Sequence, residues 1–224
     1  MSLLLHIETA VVGSSVCLSD GDRVLALKEN PAQKDSAAWV QPAIRELAAE
    51  SGIALRQLQA VSVSAGPGSY TGLRVGLSTA KGLCYALGIP LITVSTLKMM
   101  AAAALQQDAG LLCPMIDARR MEVFTAAYNR QLEEVIAPHN IILDANSFAA
   151  QLQQQPVCFF GNGAEKFKPL ASSPMAHFAE VEANATHLVL LALQAFEAKD
   201  FADLAYAEPY YGKEFFSTYI KSIS

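Results

Sequence analysis

The chain has 224 residues, enough for one large domain or two small ones. It is 52% hydrophobic and only 17% charged, with a net charge of −5. A protein that holds nucleic acid alone carries a basic stripe, and the only basic doublet here is Arg119-Arg120. No apolar run approaches the ~18 residues of a membrane span. The opening Met-Ser-Leu-Leu-Leu-His has neither a charged start nor a cleavage site, so no signal peptide is expected. The apolar excess predicts a large core and an apolar surface meant for a partner. Cys17, Cys84, Cys113 and Cys158 lie far apart with no C-x-x-C, which reads as buried reduced thiols of a cytoplasmic protein. His6, His139, His177 and His187 show no metal-ligand spacing.

Residues 3–7 read as a buried strand ending at Glu8-Thr9. Strands at 15–19 and 23–29 flank the turn Asp20-Gly21-Asp22, which makes a three-stranded antiparallel meander. After a loop at 30–34, Asp35 or Ser36 caps a helix carrying Trp39, Val40, Ile44, Leu47 and Ala48, stopped by Gly52. Pro42 either opens this helix or kinks it. Trp39 is a core residue or an interface anchor.

Residues 60–88 organise the chain. Val61 and Val63 alternate with serines as a short strand, which Gly66-Pro67-Gly68 breaks. A helix follows, capped by Ser69 or Thr71 and running to about Leu87, where Gly88 ends it. Gly72, Gly76 and Ala80 recur every fourth residue as a side-chain-poor groove, with Leu73 and Leu77 beside it. Glycine inside a helix costs roughly 1 kcal/mol relative to alanine. Close approach of another backbone compensates, whether from the sheet of this chain, a second helix or a partner protein. Gly-Pro-Gly-Ser-Tyr-Thr-Gly is neither a P-loop nor a dinucleotide fingerprint. Ser69 and Tyr70 lack the surroundings of a nucleophile, and Arg74 fits a local salt bridge, a bound carboxylate or the cap of a partner helix.

A strand at 91–94 and a helix from Ser95 to about Gln107 complete this half. The order then begins again. A buried strand at 111–116 ends in Asp117, strands follow at 122–128 and 133–137, and 141–143 extends the sheet. Asn146 or Ser147 caps a helix to Gln155. A strand at 157–160 runs into Gly161-Asn162-Gly163, and Thr186 caps a helix to about Lys199. Two β-β-β-α-β-α units predict a duplicated α/β fold, and actin-like (ribonuclease H-like) ATPases are built from such duplicated halves. Actin-like ATPases place acidic residues at the ends of the first strands around a Mg²⁺–phosphate site. Glu8 and Asp117 fit vestiges of that plan, or turn-capping carboxylates.

The stretch Ser64-Ala-Gly-Pro-Gly-Ser-Tyr-Thr-Gly-Leu-Arg-Val-Gly76 resembles the hallmark of the bacterial TsaB (YeaZ) family. Leu4-Leu-His-Ile-Glu-Thr9 resembles the family's opening strand, although Glu8 stands where Asp is usual. Ile116-Asp-Ala-Arg-Arg-Met-Glu-Val-Phe124 and Ala207-Glu-Pro-Tyr-Tyr211 match two further family segments. Lys34-Asp35-Ser36 stands where the family commonly has His-Ser or His-Thr.

The resemblance implies a two-lobed ASKHA (actin/Hsp70-like) fold, with lobes at 1–109 and 110–224. It implies a non-catalytic scaffold in making threonylcarbamoyladenosine beside the tRNA anticodon. Its partners are the catalytic paralogue TsaD, the ATPase TsaE and a second copy of the chain. ATP and metal then belong to the partner subunits, tRNA is met only through the complex, and this chain carries no catalytic, cofactor or metal residue. The implied partner surface combines Trp39, Ile44, Tyr70, Gly72, Leu73, Gly76, Leu77 and Ala80. On that reading Gly76→Leu blocks assembly without unfolding the monomer. The alternative is a stand-alone actin-like ATP-dependent enzyme, and a third reading is a protease acting on its partner.

Overall fold

The computed structural model describes residues 2–30 and 36–212. The expected cap Asp35 and the departure at Lys34-Asp35 lie outside the described residues. Each apolar lead strand becomes the centre of a five-stranded sheet. The first sheet contains β1 (Leu3–Glu8), β2 (Ser14–Asp20), β3 (Arg23–Asn30), β4 (Ala60–Ser64) and β5 (Leu91–Val94), in the order β3-β2-β1-β4-β5. The second contains β6 (Leu111–Asp117), β7 (Glu122–Tyr128), β8 (Glu134–Ile142), β9 (Val157–Phe160) and β10 (Ala176–Ala179), in the order β10-β9-β6-β7-β8. In both, the lead strand pairs antiparallel with the next strand and parallel with the fourth. The two halves therefore share one topology, the duplication expected from the sequence.

The helices differ between the halves. The first has α1 (Ser36–Glu50), α2 (Tyr70–Leu87) and α3 (Thr96–Ala103). Pro42 lies inside α1, which buries Val40, Ala43, Ile44, Leu47 and Ala48 against the first sheet. In the second half α4 (Ala149–Leu152) and α5 (Ala164–Phe167) are single turns, and α6 (Val189–Ala198) is longer. Phe148, Phe159, Phe167 and Phe178 fill that side instead, with the Phe159 and Phe167 rings 4.9 Å apart. A further core joins the sheets, bringing Leu4, Ile92, Leu97 and Met100 against Leu112, Ile116, Tyr128, Phe160 and Leu188.

Several elements depart from the sequence reading. The helix expected to Gln107 stops at Ala103, and the one expected to Gln155 is only α4. Strand β8 is continuous through Pro138, which its edge position permits because one side of an edge strand needs no N–H donor. The cap before α6 is Asn184, whose Oδ1 accepts the Thr186 N–H at 3.0 Å, rather than Thr186. Elements α5 and β10 had no counterpart in the sequence reading. The chain after α6 also returns to the first lobe: the Ala202 N–H donates to Leu91 O at 2.9 Å and the Tyr210 N–H to Ala65 O at 2.7 Å. Residues 110–179 thus build the second sheet, while the tail straps the first.

The glycine stripe of α2 faces inward. A Cβ on Gly72 would overlap the Thr9 carbonyl oxygen, and one on Gly76 would overlap Thr9 Oγ1 and press on Val63. Thr9 Oγ1 donates to Gly72 O at 2.7 Å, and the Ser69 N–H donates to Ala10 O at 2.8 Å. Leu73 and Ala80 are fully buried and Leu77 nearly so. Of the three neighbours open to the groove, the sheet of the same chain fills it. The expected partner surface is corrected accordingly: Gly72, Leu73, Gly76, Leu77, Ala80 and Ile44 are interior, leaving exposed Tyr70 and half-buried Trp39. Gly76→Leu is expected to destabilise the monomer by about 3 kcal/mol or more, because the buried β-branched side chains of Thr9, Val63 and Ile7 that it meets are stiff and packed in place. Urea unfolding of the variant, with a midpoint well below wild type, checks this.

Candidate functional site

Both lead strands end at one cleft between the sheets. Its cavity of about 630 Å³ is lined by Glu8, the 10–15 turn, Gly68-Ser69, Asp117, Gly161-Asn162 and residues 181–184. The structure therefore brings together Glu8 and Asp117, 109 positions apart in the chain, on one wall system. Each also caps its own turn. Glu8 Oε1 accepts the N–H groups of Ala10 (2.5 Å) and Val11 (3.0 Å). Asp117 Oδ1 accepts the Arg119 N–H at 2.5 Å.

The two carboxyls have opposite electrostatics. Glu8 is 1% exposed, and burial pushes its pKa up against the opposing pull of the Ser64 hydroxyl and the two turn N–H groups. Its Oε2 and the Ser64 Oγ, both buried, make no hydrogen bond of normal geometry. Asp117 is partly exposed, and the Lys166 ammonium 2.5 Å away holds its pKa below the usual range. The lining adds Glu29 and Glu182 and, among the described residues, contains no lysine, arginine or histidine. Of these four carboxyl groups, Glu8 is pushed toward its neutral form and Asp117 is paired with Lys166. No three His, Cys, Asp or Glu side chains of the described residues converge as metal ligands. Glu29, Asn30 and the 181–184 loop escaped the sequence reading, because no local motif marks them and only the fold assembles them.

The described lining places no histidine beside Ser69. Ser69 Oγ accepts the Gly72 N–H at 3.2 Å as the cap of α2. His6 is buried between Ser62 (2.7 Å) and Ser19 (2.8 Å), where desolvation lowers its pKa to about 3. It serves the core of the first sheet.

The outer side of α2 is open. Arg74, Ser78, Gly82 and Tyr85 form its exposed stripe, with Tyr85 82% exposed and space around Gly82. Arg74 donates to the Tyr70 hydroxyl at 2.9 Å and stacks on its ring, while Tyr70 packs on Tyr211 with centroids 5.1 Å apart. Among the described residues the local partner of Arg74 is thus an aromatic, not a carboxylate.

Two copies of one α/β topology, each sending the carboxyl of its lead strand to a shared cleft, define a protein of the actin-like, ASKHA class. A solved activator of 2-hydroxyisocaproyl-CoA dehydratase from Clostridium difficile, with bound ADPNP, shares this fold at a TM-score of 0.50 and 8% identity, over 90% of this chain and 98% of that one. A family model described as TsaD, tRNA N6-adenosine threonylcarbamoyltransferase, matches residues 30–207. The Bacillus subtilis tRNA threonylcarbamoyladenosine biosynthesis protein TsaB is 33% identical over 170 residues, 75% of this chain and 74% of that protein. A Pseudomonas aeruginosa protein described as similar to peptidase YeaZ superposes with a TM-score of 0.82 at 28% identity, covering 95% of this chain and all of that one. The chain belongs to the TsaB family of tRNA threonylcarbamoyladenosine biosynthesis proteins. Among the described residues no helix is long and apolar enough to cross a membrane.

The raised pKa of Glu8 sets the sign of a pH effect. At pH values above its unfolded-state pKa the unfolded chain loses this proton while the folded chain keeps it, so stability falls as pH rises through that window. Glu8→Gln keeps the acceptor for Ala10 and Val11 and cannot ionise. The variant is expected to melt higher than wild type at pH 8, with the difference vanishing near pH 4, as read by thermal denaturation across pH.

Proposed function

We propose that this chain is a non-catalytic subunit of the machinery that makes threonylcarbamoyladenosine in tRNA. It dimerises with the catalytic paralogue TsaD, recruits the ATPase TsaE to the pair, and pairs with itself through the same face when TsaD is absent. ATP and metal sit in the partner subunits, tRNA is engaged by the assembled complex, and the site of action is the cytoplasm. The observation that carries this reading is that both strand-end carboxyls of the cleft are already committed, Glu8 to the Ala10 and Val11 N–H groups and Asp117 to the Arg119 N–H and the Lys166 ammonium, while the described lining holds no lysine, arginine or histidine. Its family membership supplies the pathway.

The docking face assigned here is the outer stripe of α2, not its glycine stripe. Gly82 lets a second helix approach closely, and Tyr85 offers a large exposed ring of the kind that anchors interfaces. The competing reading, a stand-alone ATP-dependent enzyme, draws on the ADPNP-bound neighbour and requires Glu8 and Asp117 to be released from their turn contacts to serve a metal and phosphate.

Light scattering of the chain, alone and mixed with TsaD from the same organism, tests the assignment. Wild type is expected as a homodimer that converts to a one-to-one heterodimer. Gly82→Arg and Tyr85→Asp are expected to remain monomeric in both settings, weakening association at least a hundredfold with an unchanged melting temperature. Wild-type assembly by both variants contradicts the assigned face.

A further inference from the structure

The tip of the β6–β7 hairpin breaks a rule of backbone chemistry. Arg119 and Arg120 both adopt left-handed conformations, with φ of 73° and 48°. Side chains with a Cβ disfavour that region, and tight hairpin turns that need it normally use Asn-Gly or Asp-Gly. Here two successive arginines occupy it, and they are the only basic doublet in the chain.

The turn is held rigidly. The Ala118 N–H donates to Glu122 O at 3.0 Å and the Glu122 N–H to Arg119 O at 3.1 Å. Asp117 fixes the base of the turn through the Arg119 N–H, and Asn162 Oδ1 accepts the Asp117 N–H at 2.9 Å. Lys166 clamps the same base, donating to Asp117 Oδ1 and, at 3.2 Å, to Glu122 O. This pairing neutralises Asp117, and the other carboxylate of the turn, Glu122, accepts from Asn140 Nδ2 at 2.6 Å. Both arginines are exposed, and neither guanidinium forms an ion pair or hydrogen bond among the described residues.

Two free guanidiniums, side by side on a stiff support, suit the oxygens of adjacent phosphodiesters. With a net charge of −5, such a contact adds to an assembly's affinity rather than making this chain a nucleic-acid binder alone. The turn belongs to the second sheet, whereas the assigned docking stripe lies on α2 of the first lobe, so a partner there need not cover it. We propose that the Arg119–Arg120 turn is this chain's own contact with the tRNA phosphate backbone. The proposal rests on the scaffold reading, in which the chain works beside TsaD on tRNA.

The test uses the complex of the full chain with TsaD and an unmodified tRNA transcript, with affinity measured by fluorescence anisotropy between 50 and 200 mM KCl. The variant Arg119→Asn/Arg120→Gly removes both charges and supplies residues that favour the left-handed turn. It is expected to melt at or above the wild-type temperature and to assemble with TsaD normally. Its affinity for tRNA is expected to fall about tenfold or more, and its salt slope to shrink by about 1.4–1.8, the value for two lost phosphate contacts. Arg119→Lys/Arg120→Lys should keep most of the slope. An unchanged slope in the Asn/Gly variant overturns the proposal. Loss of TsaD assembly in that variant also overturns it and makes the turn a protein contact. A wild-type complex that binds no tRNA overturns the scaffold reading as well, which separates the two failures.

Discussion

The approach of Thr9 and Ala10 to the first turns of α2 is the constraint on which the first lobe depends. The end of β1 touches helix backbone where any side chain at Gly72 would collide with it, and Thr9 donates to the Gly72 carbonyl. That contact fixes the angle between the central strand and the longest helix. It also places Ser69 at the helix N-terminus against Ala10, so the turn after β1 and the loop after β4 form one wall of the cleft. The same loop is pinned from behind by the tail, since a Cβ at Gly66 would strike the Tyr210 carbonyl. The hallmark glycines are therefore demanded from two sides by this chain's own backbone. They fix a helix whose other side is exposed at Arg74, Ser78, Gly82 and Tyr85.

The duplicated topology has been put to unequal use. The first half keeps long helices over its sheet, while the second replaces them with single turns and a cluster of phenylalanines. Burial of apolar area is non-directional, so either solution closes a sheet face. Only the long helices present an extended outer surface. The apolar core shared by the two sheets, together with the tail strapped over β5 and α2, joins the halves, and the cleft is what their lead strands leave open at one end.

Much of this was legible before any coordinates. Alternating Val61 and Val63, the Ser69 cap and the Gly88 stop marked β4 and α2, because each signal acts within a few residues. The paired order of strands exposed the duplication for the same reason. The direction of the glycine stripe was not legible. A run of small residues says that a neighbour comes close, but the neighbour, Thr9, lies more than sixty positions away. Elements α5 and β10 were missed because a four-residue helix without a side-chain cap and a four-residue edge strand leave no periodicity to read. The acidic lining was half legible: Glu8 and Asp117 sit at strand ends, whereas Glu29 and Glu182 join them only in the folded chain.

The cleft opens where the two lead strands end, and its described lining holds carboxyl groups but no lysine, arginine or histidine. Glu8, buried and pushed toward its neutral form, holds the turn after β1; Asp117, paired with Lys166, holds the turn after β6. Both carboxyls have tasks in the architecture that require neither metal nor nucleotide. The most direct measurement is a calorimetric titration of Mg-ATP into the purified chain. The account predicts no saturable heat up to millimolar nucleotide. Stoichiometric binding with micromolar affinity, lost on substituting residues of the cleft, would contradict it and return the chain to the ATP-dependent enzymes.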